Sequence, residues 1–170
     1  MQIGRAGGTP DYVLLQKRSQ SVTRPGCEVP LVLDPDSVGF YRVQYSPLLL
    51  AHLTKNISTL SDIARVKVVS DAGVLFNDGR MPAAAYFDIV KALGVEPRMV
   101  VWKLVVDRLQ GLDDLARDDA QRPELRAALR RFAIAVANPK FQQLGWDSVA
   151  GEPVGRAQLS PPCWTWWRAP

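Results

Sequence analysis

The chain has 170 residues, of which 47% are hydrophobic and 22% charged, and its net charge is +4. That is room for one domain and part of another around a core of ordinary size, and no apolar run approaches the ~18 residues of a membrane-spanning helix. Positive and negative residues are interleaved, as in DDLARDDAQRPELRAALRR (113–131), so the excess charge reads as solvated helix surface and not as a nucleic-acid patch.

The first residues, MQIGRAGGTP, have no apolar stretch of the kind a secretory signal needs, so a cytoplasmic location is expected. GRAGG (4–8) has no strand before it and no helix after it, and reads as a flexible end. Residues 1–29 are expected to be poorly structured or partly β, with YVLLQ (12–16) as the only strand candidate and Pro25-Gly26 as a turn signal. Two strands are then predicted, PLVLD (30–34) and GFYRVQY (39–45), joined by a turn. In the second, Phe40, Arg42 and Gln44 alternate with Tyr41, Val43 and Tyr45, a period of two. A lone two-stranded hairpin is marginal in water, so the rest of the sheet is missing or partly supplied by residues 9–16.

From residue 46 the pattern is helical. Ser46 and Pro47 open a first helix with Leu50, Leu53 and Ile57 at helical spacing. A second follows Leu60-Ser61, with Ile63, Val66 and Val69 on one side, and stops at NDGR (77–80). The third begins at Pro82, carries Ala83, Phe87, Val90 and Leu93, and ends at Gly94. The fourth has Pro97 in its first turn and Val101, Leu104, Val105, Leu112 and Leu115 as its stripe. The fifth starts near Pro123, shows Leu125, Leu129, Phe132 and Val136 on one face, and ends before NPKF (138–141). Arg126, Arg130 and Arg131 read as a solvated helix end, and Asp113-Asp114 and Asp118-Asp119 as solvated pairs that point apart on a helix. Short connections favour antiparallel neighbours, as in stacked helical hairpins. The last eleven residues, SPPCWTWWRAP (160–170), hold three of the five Trp. They read either as an aromatic anchor for a partner or as an accidental end, and disorder is expected there.

Much chemistry is excluded by count. His52 is the only histidine, so HExxH cannot be built, and any Ser-His-Asp or Cys-His arrangement would have to use a histidine set between Ala51 and Leu53 in an apolar helix. Cys27 and Cys163, without metal-ligand spacing, read as free thiols. There is no phosphate-binding glycine loop. No catalytic, cofactor-binding or metal-ligating residue is predicted in this chain.

The order of motifs resembles the C-terminal region of the zinc aminopeptidases related to the membrane alanyl, puromycin-sensitive and endoplasmic-reticulum aminopeptidases. The resemblance runs from about Pro30 to Leu159. It is carried by GFYRVQY, by ARVKVVSDAGVLFNDGR (64–80) with Arg65, Asp71-Ala72 and Gly79, by LGVEPRMVVWKLVVDRL (93–109) with Glu96 and Trp102, and by LGWD before GEP. It implies a mainly α chain: the end of a β-sandwich at 30–45, then an incomplete HEAT-like α-solenoid of antiparallel helical hairpins at 46–159. In the intact family this region covers the active-site chamber and helps select peptides, without a covalent role. Zinc and the catalytic tyrosine belong to the family's catalytic domain, whose motifs are absent here, so Tyr41 does not inherit that role and no cofactor is expected. The chain is expected to be cut at both ends.

Under this resemblance GFYRVQY is a joint between sandwich and helices. Phe40 and Tyr41 would lie on opposite faces of a sheet, and the joint residues are Tyr41, Arg42, Asp71 and Trp102. Arg42 in mid-strand either pairs with Asp71, which lies in an otherwise apolar stretch, or sits exposed at a sheet edge. The expected partners are a peptide or the missing catalytic half, with self-association through exposed apolar surface, and neither nucleic acid nor membrane. The competing reading is a free-standing helical-repeat module that binds peptides or proteins.

Overall fold

A computed structural model describes residues 1–144, apart from Cys27, Val95 and Ala120, together with Gly151. The GEP segment, nearly all of LGWD, the Trp-rich tail and both cysteines lie outside the described residues. The chain divides into two compact units, Met1–Ala92 and Leu93–Pro170.

The first unit opens with a small antiparallel sheet of β1 (Gln2–Arg5), β2 (Asp11–Tyr12) and β3 (Leu31–Leu33), in the order β2-β1-β3. Ile3 sits opposite Asp11 on one side and Leu33 on the other. Ile3 and Val32 are its buried apolar residues. The run read as a flexible end is thus in part the central strand. Gly4 has a steric role there, because a Cβ would lie 2.7 Å from Cγ of Pro35. YVLLQ is β only at its start, and Leu14 and Leu15 are exposed.

The structure corrects the second predicted strand. Residues 39–45 pair with no strand. The alternation is nevertheless expressed in burial: Val43 is buried, Tyr41 and Tyr45 are half-buried, and Phe40, Arg42 and Gln44 are exposed. The segment is flattened against a helix whose side chains take the place of a neighbouring strand.

Three helices complete this unit: α1 (Pro47–Lys55), α2 (Asp62–Asn77) and α3 (Ala83–Ala92), with a 3₁₀ turn at Ile57–Thr59. The Ser46 hydroxyl accepts from the Leu49 amide and Ser61 from Ala64, which satisfies free amides of the first turns. Gly79 (φ +68°) ends α2: its amide donates to Phe76 and that of Arg80 to Leu75, the Schellman pattern that calls for a left-handed residue. Of the predicted line Ile63, Val66 and Val69 on α2, only Val69 is fully buried. Ile63 is half exposed, and the side turned inward carries Ala64, Val68, Val69, Ala72 and Leu75, along with Arg65, Lys67 and Asp71. In α3, Tyr86, Ile89 and Val90 are buried, and Phe76 stacks on Tyr86 with ring centroids 5.0 Å apart.

The second unit consists of α4 (Met99–Arg117) packed on α5 (Pro123–Leu144). Val101, Trp102, Val105, Val106 and Leu109 are buried on α4, whereas Leu115 is exposed. On α5 the buried residues are Leu129, Ala133, Ala137 and Lys140, so small residues rather than Phe132 and Val136 mark the inward line. The predicted end before Asn138 is also corrected, since α5 continues through Pro139. A proline removes the donor to the carbonyl four residues back, and here that residue, Ala135, is exposed, so water can serve it. Among the described residues no helix is long and apolar enough to cross a membrane.

Candidate functional site

The densest polar cluster of the first unit forms where the extended segment meets α2. It begins at Asp34, just after β3, with φ +56°, a left-handed conformation that Asp adopts more readily than most residues. Its fully buried carboxylate accepts from the amides of Val38 (3.1 Å) and Gly39 (3.2 Å), closing the turn on itself. Gly39 must be glycine, because a Cβ there would lie 2.1 Å from the Tyr41 ring.

From Tyr41 to Gln44 each residue is tied to α2 or to the turn that follows it. Lys67 donates to the Tyr41 carbonyl at 2.7 Å. Arg42 Nη1 lies 3.0 Å from Oδ1 of Asp71, and the Val43 amide donates to Oδ2 of the same carboxylate at 3.0 Å. Gln44 and Arg80 exchange two bonds: Gln44 Nε2 to the Arg80 carbonyl at 3.1 Å, and Arg80 Nη2 to Gln44 Oε1 at 3.0 Å. Lys67 and Asp71 are one helical turn apart, 2.6 Å between charged atoms, and Lys67 also stands 3.8 Å from Asp34. The Lys67 ammonium lies 5.4 Å from the centre of the Tyr41 ring, within cation–π range.

Two cations, Lys67 and Arg42, thus face two carboxylates, Asp34 and Asp71. A buried charge is tolerable only when paired and hydrogen-bonded, and Asp71 meets both conditions. Burial pushes the Tyr41 phenol up, with the Asp34 charge adding to it and the Gln2 backbone opposing it. Burial likewise raises Tyr45 to about 12, against the Leu33 amide that donates to its oxygen at 3.0 Å. The arrangement is a clamp: each carboxylate is occupied by fixed donors, and no nucleophile is paired with a free base.

Of the four residues predicted for the joint, Tyr41, Arg42 and Asp71 meet in this cluster. Arg42 is both paired and half exposed, and no sheet edge is involved. Trp102 belongs to the second unit, where it is fully buried and donates through Nε1 to the Glu96 carbonyl at 2.9 Å. Asp34 and Lys67 were not singled out from the sequence. Lys67 had a readable signal, four residues before Asp71 on the same helix.

The second unit has its own charged cluster. Asp113, read as solvated, is buried between Arg126 and Arg130, with bonds of 2.8 to 3.1 Å. Burial would raise its carboxyl, but the bonds and charges of Arg130 and Arg126 outweigh that and bring it down to about 2. Two of the three arginines read as a free helix end are therefore committed to this carboxylate.

Zinc does not fit either cluster. The space between Asp34 and Asp71 is taken by the Lys67 ammonium, and Asp113 by two guanidinium groups. His52 lies on α1 and contributes its carbonyl to Asn56 at 2.8 Å. Among the described residues no group of three or more His, Cys, Asp or Glu is placed to hold a metal ion.

Comparison with known proteins gives these elements a context. Residues 31–167 match the family model described as the ERAP1-like C-terminal domain. Curated relatives include Aminopeptidase 2 of Candida albicans, 27% identical over 89% of this chain and 16% of its own length. The Puromycin-sensitive aminopeptidase of Caenorhabditis elegans is 25% identical over 90% of this chain and 17% of its own length. Human Glutamyl aminopeptidase is 26% identical over 73% of this chain and 13% of its own length. The chain thus spans about a sixth of the length of the first two relatives. With the family model matched over most of the chain, on the helices and the charged clamp described above, the chain belongs to the ERAP1-like C-terminal domain family, a C-terminal region of the zinc aminopeptidases.

Proposed function

We propose that this chain acts as a non-catalytic C-terminal region of a zinc aminopeptidase, covering the chamber in which peptides are cleaved and helping to select them. The observation that carries the reading is the family match over residues 31–167, joined to relatives named as aminopeptidases, which the chain matches over a small share of their length. The packed pairs α2 with α3 and α4 with α5 support a HEAT-like series of helical hairpins. In this reading the Asp34–Lys67–Asp71 clamp is the joint that fixes the β element on the first helices, and the peptide or the catalytic part of the enzyme is the partner. The location proposed for it is the cytoplasm.

The test is a chimera. The matched segment of Candida albicans Aminopeptidase 2 is replaced by this chain, and hydrolysis is followed for a dipeptide substrate and for a ladder of longer peptides. The expected result is that the chimera cleaves both and differs from the parent in its length preference. A chimera whose preference equals that of an enzyme carrying an unrelated helical segment of equal size would overturn the reading.

A second reading, self-association, rests on Tyr12, Leu14, Phe40 and Leu48, each at least 75% exposed in the first unit. Large apolar side chains this exposed are available to another apolar surface. Light scattering that finds a monomer at all concentrations, with no binding of a dye for apolar surface, would remove it.

A further inference from the structure

Between α1, the start of α3 and the end of the extended segment, the first unit carries a groove of about 570 Å³. That lies within the ~300–1,000 Å³ typical of small-molecule sites. Its walls are mainly apolar, with Leu50 on α1, Met81 before α3 and Ala85 on α3. Lys55 and Arg80 line it as well, against a single carboxylate, Asp88.

The charges are unequal in their commitments. Asp88 is paired with Lys91 at 3.3 Å. Among the described residues the Arg80 guanidinium donates to the neutral Gln44 side chain, at 3.0 Å, and neither Arg80 nor Lys55 forms an ion pair. The groove therefore combines an apolar wall with two cations whose charge no facing carboxylate satisfies. A ligand with an anionic end and an apolar body complements both features. The neutral bond from Arg80 to Gln44 would be exchanged for a charge-assisted one, which is about twice as strong.

We propose that this groove binds a small carboxylate with an aliphatic or aromatic tail, the tail against Leu50, Met81 and Ala85 and the carboxylate between Lys55 and Arg80. The site uses the first unit alone and does not depend on the proposed role in a peptidase. Because Gln44 belongs to the segment held by the clamp, occupation of the groove would also free one tie of that segment.

The test uses the full isotopically labelled chain and three probes with about the same tail, heptyl or octyl: octanoate, octanol and octylamine. Octanoate is expected to give saturable chemical-shift changes at Ala51, Lys55 and Ala85, and to bind about tenfold more tightly than octanol, as a charge-assisted contact requires. Octylamine is expected to be the weakest. Lys55→Gln, an exposed change that leaves packing untouched, should weaken octanoate several-fold and leave octanol unchanged. Ala85→Trp should fill the groove and abolish binding of both, with the dispersed spectrum of the rest of the chain showing that it is folded. Equal affinity for octanoate and octanol would overturn the proposal, as would octanoate binding indifferent to Lys55→Gln and Ala85→Trp, or no saturable shift at these residues.

Discussion

The ammonium of Lys67 lies 2.6 Å from the carboxylate of Asp71, four residues further along α2, and neither side chain is more than 5% exposed. A buried pair broken from one side costs about 3–5 kcal/mol, and without Lys67 the Asp71 carboxylate keeps only the half-exposed Arg42 and the Val43 amide. Lys67→Met is expected to destabilise the first unit by that order, because it also strips the Tyr41 carbonyl of its donor. The double variant Lys67→Met, Asp71→Leu should recover part of the loss, a coupling that urea denaturation of the four proteins would measure. Single variants within ~0.5 kcal/mol of the parent, the range of ordinary surface changes, would show that the pair is not a buried one.

Arg42 bonds to the same carboxylate but is half exposed. Solvent screens such a contact, and exposed pairs contribute about 0–1 kcal/mol. Arg42→Met is therefore expected to lower the melting temperature far less than Lys67→Met. Equal losses would mean that Lys67 is not the principal cation of the clamp.

The pH dependence of the second unit is expected to centre on Asp113. Its carboxyl is at about 2 in the fold against an ordinary value of 3.8. The stability this confers is complete above about pH 4 and is lost as pH falls toward 2, since protonation then releases Arg130 and Arg126. By linkage the loss is of the order of 2 kcal/mol. Acid titration of α4–α5 helicity should show it, and Asp113→Asn should be less stable at neutral pH and flat across that window. A parent profile as flat as that of Asp113→Asn would contradict the assignment.

Trp102 is fully buried and uses its indole N–H on the Glu96 carbonyl. Trp102→Ala is expected to cost about 3–5 kcal/mol through the cavity it leaves. Trp102→Phe keeps most of the packing but orphans that carbonyl, so about 1–3 kcal/mol is expected. A Trp102→Phe variant as stable as the parent in thermal unfolding would mean that the hydrogen bond contributes nothing.

Where the sequence carries a local signal, the fold was legible. Ser46-Pro47 and Ser61 open α1 and α2 as their capping chemistry requires, and Gly79 closes α2. Features set by distant partners were not. Gln2–Arg5 is a strand because Leu31–Leu33 and Asp11–Tyr12 flank it, which no property of a glycine-rich run announces. The inward side of α2 was misread because Lys67 and Asp71 lie on it, and hydropathy counts both as polar without seeing that they neutralise each other. The end of α5 was misread at Pro139, whose cost is small on an exposed face. At the joint, the alternation in 39–45 disclosed which residues face inward but not what the backbone bonds to.

That last point has a consequence for how the joint can change by mutation. A strand held by a neighbouring strand is indifferent to the identity of its neighbour's side chains, since peptide groups hold peptide groups. Between Val38 and Val43 the main chain is instead held by Asp34, Lys67 and Asp71. Its conformation therefore depends on the identity of those three side chains as well as on Gly39, and a substitution at any of the three removes main-chain bonds that a ladder would keep.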